Sequence, residues 1–124
     1  MTNDRQEIFT RLKEILCKYS PPLIPTSDDE RRYELVAKKD VEFKGRKFHE
    51  TYFGAAIIQS TYVGLYLMHV YNKPEMLKEV PEELRKCLKG KSCFHIKHLD
   101  GELLEQIKKT VKHGFDRYKI NKMV

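Results

Sequence analysis

Residues 50–71, ETYFGAAIIQSTYVGLYLMHVY, constrain the fold more than any other stretch of the chain. Two runs rich in aromatic and β-branched residues flank Gln59-Ser60-Thr61, where the backbone can reverse, so the segment reads as one β-hairpin. A loop at Ser60-Thr61 sets the register. Ile58 then faces Val63, Ala56 faces Leu65 and Gly54 faces Leu67 on one side of the hairpin. On the other side Ile57 faces Gly64, Ala55 faces Tyr66 and Phe53 faces Met68. In nearly every pair a small side chain meets a large one, which avoids both clashes and holes between directly opposed residues. Both faces are apolar, so both are expected to be covered.

The flanking sequence supplies one kind of cover. Residues 4–19 carry Ile8, Leu12, Ile15, Leu16 and Tyr19 at helical spacing, with Asn3 and Gln6 as the expected cap, and Ser20-Pro21-Pro22 stops the helix. Asp100 caps a last helix over 101–119 with the stripe Leu103, Leu104, Ile107, Val111, Phe115 and Tyr118. Gly114 inside that stripe predicts close approach to the sheet, since glycine there costs about 1 kcal/mol relative to alanine.

Between these ends, residues 20–30 read as a connector whose run Asp28-Asp29-Glu30 is neutralised by Arg31-Arg32. Residues 32–38 alternate as a strand with Tyr33, Leu35 and Ala37 on one side, and Val41–Phe43 turns through Lys44-Gly45 into Lys47-Phe48. Pro74 and Pro81 open two short helical segments, about 74–79 and 81–88. Ser92–Ile96 is a short strand, with Phe94 and Ile96 on one side and Cys93 and His95 on the other.

The expected fold is therefore α+β in a single domain, residues 1–124: an antiparallel twisted sheet of about five strands with both terminal helices on one face and a short helical crossover before the last strand. The face of Ala56, Ile58, Val63, Leu65 and Leu67 is the more aliphatic and is assigned to the helices. The opposite face carries Phe53, Ile57, Tyr62, Tyr66 and Met68, with Cys93 and His95 alongside.

No apolar run approaches the roughly 18 residues of a membrane span and the first ten residues lack the features of a secretory leader, so the expected location is the cytoplasm, with no membrane partner. Three cysteines, an odd number without a CxxC spacing, read as free thiols. The net charge of +6 is uneven, −1 over residues 1–83 and +7 over residues 84–124. That basic third could meet nucleic acid, but few aromatics accompany Lys108, Lys109, Lys112, Arg117, Lys119 and Lys122, so a solvated helix face is the stronger reading and nucleic acid is not the expected partner.

The stretch YFGAAIIQSTYVGLYLMHVY together with LKGKSCFHIKHLDGELLEQI resembles the YdhG-like family of bacterial domains of unknown function, over roughly two thirds of the chain, with Gly90-Lys91-Ser92-Cys93-Phe94 as its most recognisable block. The resemblance implies a frataxin-like fold, and by way of a relative described as an iron chaperone it implies iron as a cargo and a chaperone-type role. The first helix departs from the acidic ridge of frataxins, because Asp4, Glu7 and Glu14 alternate there with Arg5, Arg11, Lys13 and Lys18. An excess of positive charge is a poor collector of a hard cation.

Three uses of the second face follow. In the first, Phe53, Tyr62, Tyr66 and Met68 form an apolar floor for a small molecule, with Lys91, Ser92, Cys93 and His95 at its rim. In the second, Cys93, His95 and His98 hold a metal ion, or Cys93 acts as a nucleophile in an enzyme, although no third group or oxyanion donor can be named. In the third, the face pairs two copies of the chain as a homodimer. Against all three stands a plain second core beneath the 74–88 crossover. The binding domain, with no catalytic role, is the leading expectation.

Overall fold

Eight strands and four helices make up the computed structural model, which describes residues 2–38, 41–43, 45–48, 50–72, 78–90 and 93–120. In chain order they are α1 (Arg5–Cys17), β1 (Ile24–Asp28), β2 (Arg32–Ala37), β3 (Val41–Phe43), β4 (Arg46–Phe48), β5 (Thr51–Ile58), β6 (Val63–Leu67), α2 (Met68–Asn72), α3 (Glu82–Arg85), β7 (Leu88–Lys89), β8 (Cys93–Ile96) and α4 (Gly101–Ile120). Six strands form one antiparallel sheet in the order β1-β2-β5-β6-β8-β7, and β3 and β4 pair only with each other.

The β5–β6 hairpin has the register that size matching predicts: Gly54 pairs with Leu67, Ala55 with Tyr66, Ala56 with Leu65, Ile57 with Gly64 and Ile58 with Val63. The Gln59 N–H donates to the Tyr62 carbonyl at 2.8 Å, which closes the turn over Ser60-Thr61. Leu65 and Tyr66 consequently point to opposite faces. Ala56, Ile58, Val63, Leu65 and Leu67 lie in one core with Ile8, Leu12 and Leu16 of α1 and with Ile107, Val111 and Tyr118 of α4. Both terminal helices thus cover the aliphatic face, as burial of their stripes requires.

Several expectations give way here, each for a local physical reason. The sheet has six strands rather than about five, because Ile24–Asp28 and Leu88–Lys89 pair at its two edges. The first escapes a pattern search since IPTSD contains a proline and little apolar alternation, which only an edge strand tolerates. The β3–β4 pair turns at Gly45, whose φ of +77° favours glycine, and it stands apart from the meander to which it was assigned. The hairpin also ends sooner than expected: Met68 begins α2 and does not pair with Phe53.

The caps differ in detail. Asp4, one residue past the expected Asn3, accepts from the backbone N–H groups of Gln6 and Glu7 at 2.9 and 3.3 Å. Asp100 caps α4 as expected, accepting from the Leu103 N–H at 2.8 Å. Pro81 sits at the N-cap of α3, and most of the expected 74–79 helical segment lies outside the described residues. Among the described residues no helix is long and apolar enough to cross a membrane.

Candidate functional site: an open sheet face

Strand alternation delivers one side chain in two to the face away from the helices. From β8 come Cys93 and His95, from β6 Gly64 and Tyr66, from β5 Ala55 and Ile57, and from β2 Arg32 and Glu34. The buried side chains of all four described helices, including Val70 of α2 and Leu84 of α3, go to the other face. Ile57, Tyr62, Tyr66, Cys93 and His95 are accordingly only half-buried.

Two of the expected floor residues are elsewhere. The β2–β5 register shifts between Leu35, which pairs with Gly54, and Val36, which pairs with Tyr52, so Phe53 is the extra residue of a β-bulge. The bulge turns Phe53 into the core. It is fully buried and packs edge-on against Tyr118 and Phe115 of α4, with ring centroids 5.1 and 6.4 Å apart. The Tyr118 hydroxyl donates to the Tyr52 carbonyl at the same point. Met68 leaves the face because it starts α2. Lys91 and Ser92, placed at the rim by the sequence, lie outside the described residues.

What remains is an aromatic surface. The rings of Tyr62 and His95 are stacked with centroids 3.8 Å apart and planes within 10°. The Tyr66 ring lies over Gly64, where a Cβ would sit 2.8 Å from Cε2, so glycine at 64 is what lets that ring lie flat on the strand. Tyr52, which sequence reasoning did not place here, feels Glu34, Tyr66 and Cys93, and burial first and Glu34 next push its phenol up. No sequence signal reveals that residue, since a bulge shifts the alternation without altering it.

Polar groups border the surface. Arg32 and Glu34 form a forked pair on β2, with Nε and Nη2 3.2 and 3.1 Å from one carboxylate oxygen. Burial pushes the Cys93 thiol up, and the neighbouring Tyr66 hydroxyl only partly offsets this. A thiol held protonated is the opposite of an activated nucleophile. Burial and then the same Cys93 contact raise the Tyr66 phenol.

A groove of about 340 Å³ lies at the β7–β8 edge. There His95, Lys89, Lys97 and His98 meet Glu83, Lys86 and Cys87 of the α3 region and Asp100 and Leu103 at the start of α4. His95 is pushed below its ordinary value by desolvation first, then by Lys89 and Lys97. Lys97 continues the alternation of Cys93 and His95, a period-two signal present in the sequence, whereas Lys89 belongs to a strand too short to read. His98 does not join Cys93 and His95. Its Nδ1 lies 3.2 Å from Asn3 Oδ1 and its Nε2 3.9 Å from Asp100 Oδ2. Among the described residues no three His, Cys, Asp or Glu side chains converge as a metal site.

The acidic run that would serve iron is engaged too. Asp28 pairs with Lys13 at 2.6 Å, and Asp29 accepts from the backbone N–H groups of Arg31 and Arg32 at 2.8 and 2.9 Å. The expected neutralisation by neighbouring arginine side chains is therefore carried out by a lysine of α1 and by the backbone. The three cysteines are free thiols. Comparison with protein-family models, with curated proteins and with solved structures finds no match for this chain.

Proposed function

We propose that this protein is a non-enzymatic binding domain whose open sheet face takes a flat, ring-shaped ligand. The observation that carries the reading is the Tyr62–His95 stack on a sheet surface that no described helix covers. Each ring spends one π-face on the other and keeps a second for an incoming ring, and stacking onto such side chains contributes about 1–3 kcal/mol per base in proteins that use it. The half-buried Ile57 and Tyr66 widen the apolar area, and the Arg32–Glu34 pair supplies hydrogen bonds at its margin.

The frataxin-like arrangement that a YdhG-like resemblance implies would set both terminal helices on one sheet face, which is where they lie. The iron cargo implied by that resemblance draws no support from Asp28 and Asp29, both of which have structural partners. The raised thiol of Cys93 speaks against a thiol-dependent enzyme.

Adenosine, flat and uncharged, is a suitable probe. Its titration into labelled protein is expected to shift the Tyr62, Tyr66 and His95 resonances together and to do so far less in Tyr62→Ala. Perturbations confined to other surfaces, or none at millimolar adenosine, would remove the reading.

A further inference from the structure

We infer that the flat ligand is a nucleotide unit, its base on the Tyr62–His95 stack and its phosphate in the adjoining groove between Lys89 and Lys97. The inference rests on the reading above that the open face accepts a ring, and it adds the charge and size of what is attached to that ring.

Three observations carry it. The groove and the stack share His95, so the two adjoin at that side chain. Lys89 and Lys97 are both exposed at the groove, and among the described residues neither has a carboxylate within ion-pair distance. The other charges in the wall are already matched: Lys86 pairs with Glu83 at 3.3 Å, and Asp100 caps α4 and approaches His98. Two ammonium groups without a carboxylate partner beside an imidazole make a site for an anion.

At about 340 Å³ the groove is near the lower end of ligand pockets, which run from roughly 300 to 1,000 Å³. That is room for a phosphate and its sugar, and a base attached to them can extend past His95 onto the sheet face. The sequence reads against nucleic acid because the lysines of the last helix lack aromatic company. Lys89 and Lys97 are not on that helix, and His95 beside them supplies aromatic company.

The shared chemistry of a base linked to a phosphate is offered by a free mononucleotide and by a single strand alike. Titrations with adenosine, adenosine monophosphate, inorganic phosphate and an oligothymidylate separate these cases. The monophosphate is expected to bind about tenfold more tightly than adenosine, as a charge-assisted contact implies. It should also raise the titration midpoint of His95, which neutral adenosine leaves in place. The double variant Lys89→Gln, Lys97→Gln should reduce monophosphate binding to the adenosine level and leave adenosine binding itself unchanged.

Equal binding of adenosine and its monophosphate would overturn the phosphate groove and leave the ring-stacking reading standing. Failure of all four probes would overturn both. Binding of inorganic phosphate alone would mean an anion site unconnected with the stack and would also overturn the inference. If a strand is the natural form, the oligothymidylate outcompetes the monophosphate and its affinity falls with salt with a slope of about −1.4 for two phosphates engaged. If a free nucleotide is, the oligothymidylate binds no better than the monophosphate.

Discussion

Gly114 on α4 and His69 on α2 are in direct contact, so that a methyl group at position 114 would sit 2.4 Å from Nδ1 of the imidazole and 2.6 Å from Cε1. The glycine in the last helix therefore serves the approach of another helix rather than of the sheet. His69 is only 6% exposed and its ring cannot step aside into solvent. Gly114→Ala gains about 1 kcal/mol of helix propensity but overpacks by about 1–3 kcal/mol, and the net expectation is a lower midpoint in urea unfolding. His69→Ala in the same chain should cancel the overpacking, so the two substitutions are expected to be strongly non-additive in a double-mutant cycle.

The same imidazole makes stability depend on pH. Burial first, then His113 and Arg117, hold the His69 pKa down at about 4. His113 itself faces Glu79, at 3.1 Å. The unfolded chain takes up a proton at residue 69 near pH 6.5, whereas the native chain does so only near pH 4. Between those values the unfolded state binds more protons, so native stability falls as the pH is lowered and levels off below about 4. The full effect is on the order of 3 kcal/mol. Urea unfolding across that window measures it, and His69→Leu is expected to flatten the slope.

Phe53 and Tyr66 test the two faces of β5 and β6 against each other. Removing the fully buried Phe53 ring, as in Phe53→Ala, should cost about 3–5 kcal/mol. Tyr66→Ala removes a half-exposed ring and should leave the unfolding midpoint close to that of the parent while weakening adenosine binding. Equal destabilisation by the two would contradict the bulge that sends Phe53 inward.

Gly64→Ala is a subtler probe of the open face. The added methyl meets the tip of the Tyr66 ring, with Cε2 at 2.8 Å and the hydroxyl at 3.0 Å, and that ring can swing where a backbone could not. Stability is expected to change by less than about 1 kcal/mol, whereas the flat aromatic surface is broken. Loss of the adenosine-induced shifts at His95 without loss of fold is the outcome to look for.

Cysteine chemistry gives a further check. Burial pushes both Cys93 and Cys87 up, and Cys17 is exposed. Alkylation with iodoacetamide near neutral pH, followed by peptide mass spectrometry, should label Cys17 first and the other two slowly. Tyr66→Phe removes the neighbouring hydroxyl that favours the Cys93 thiolate, so it should slow labelling at Cys93 further.

Size matching between small and large residues made the central register legible, and helical stripes located α1 and α4 to within a residue or two at each end. Pattern could not show where alternation is interrupted. The extra residue at Phe53 leaves its neighbours apolar and β-prone, so the sequence around it looks the same with or without a bulge. Met68 was missed for a related reason: MHVYN suits a strand by composition, and packing of Val70 and His69 on the core side of the sheet overrides that preference. Of the site, the pair Tyr62 and His95 was visible as residues on one face, but their mutual stacking depends on the way β6 and β8 pair, between elements thirty residues apart in the chain.

The borders of the sheet carry one more consequence. On one flank runs β1, with Pro25 in it and its register broken between Pro25 and Ser27; on the other stands β7, two residues long. A proline lacks the amide proton that a neighbouring strand would need, and two residues offer too few backbone groups to recruit one. Both flanks are therefore poor templates for edge-to-edge growth of the sheet into fibrils.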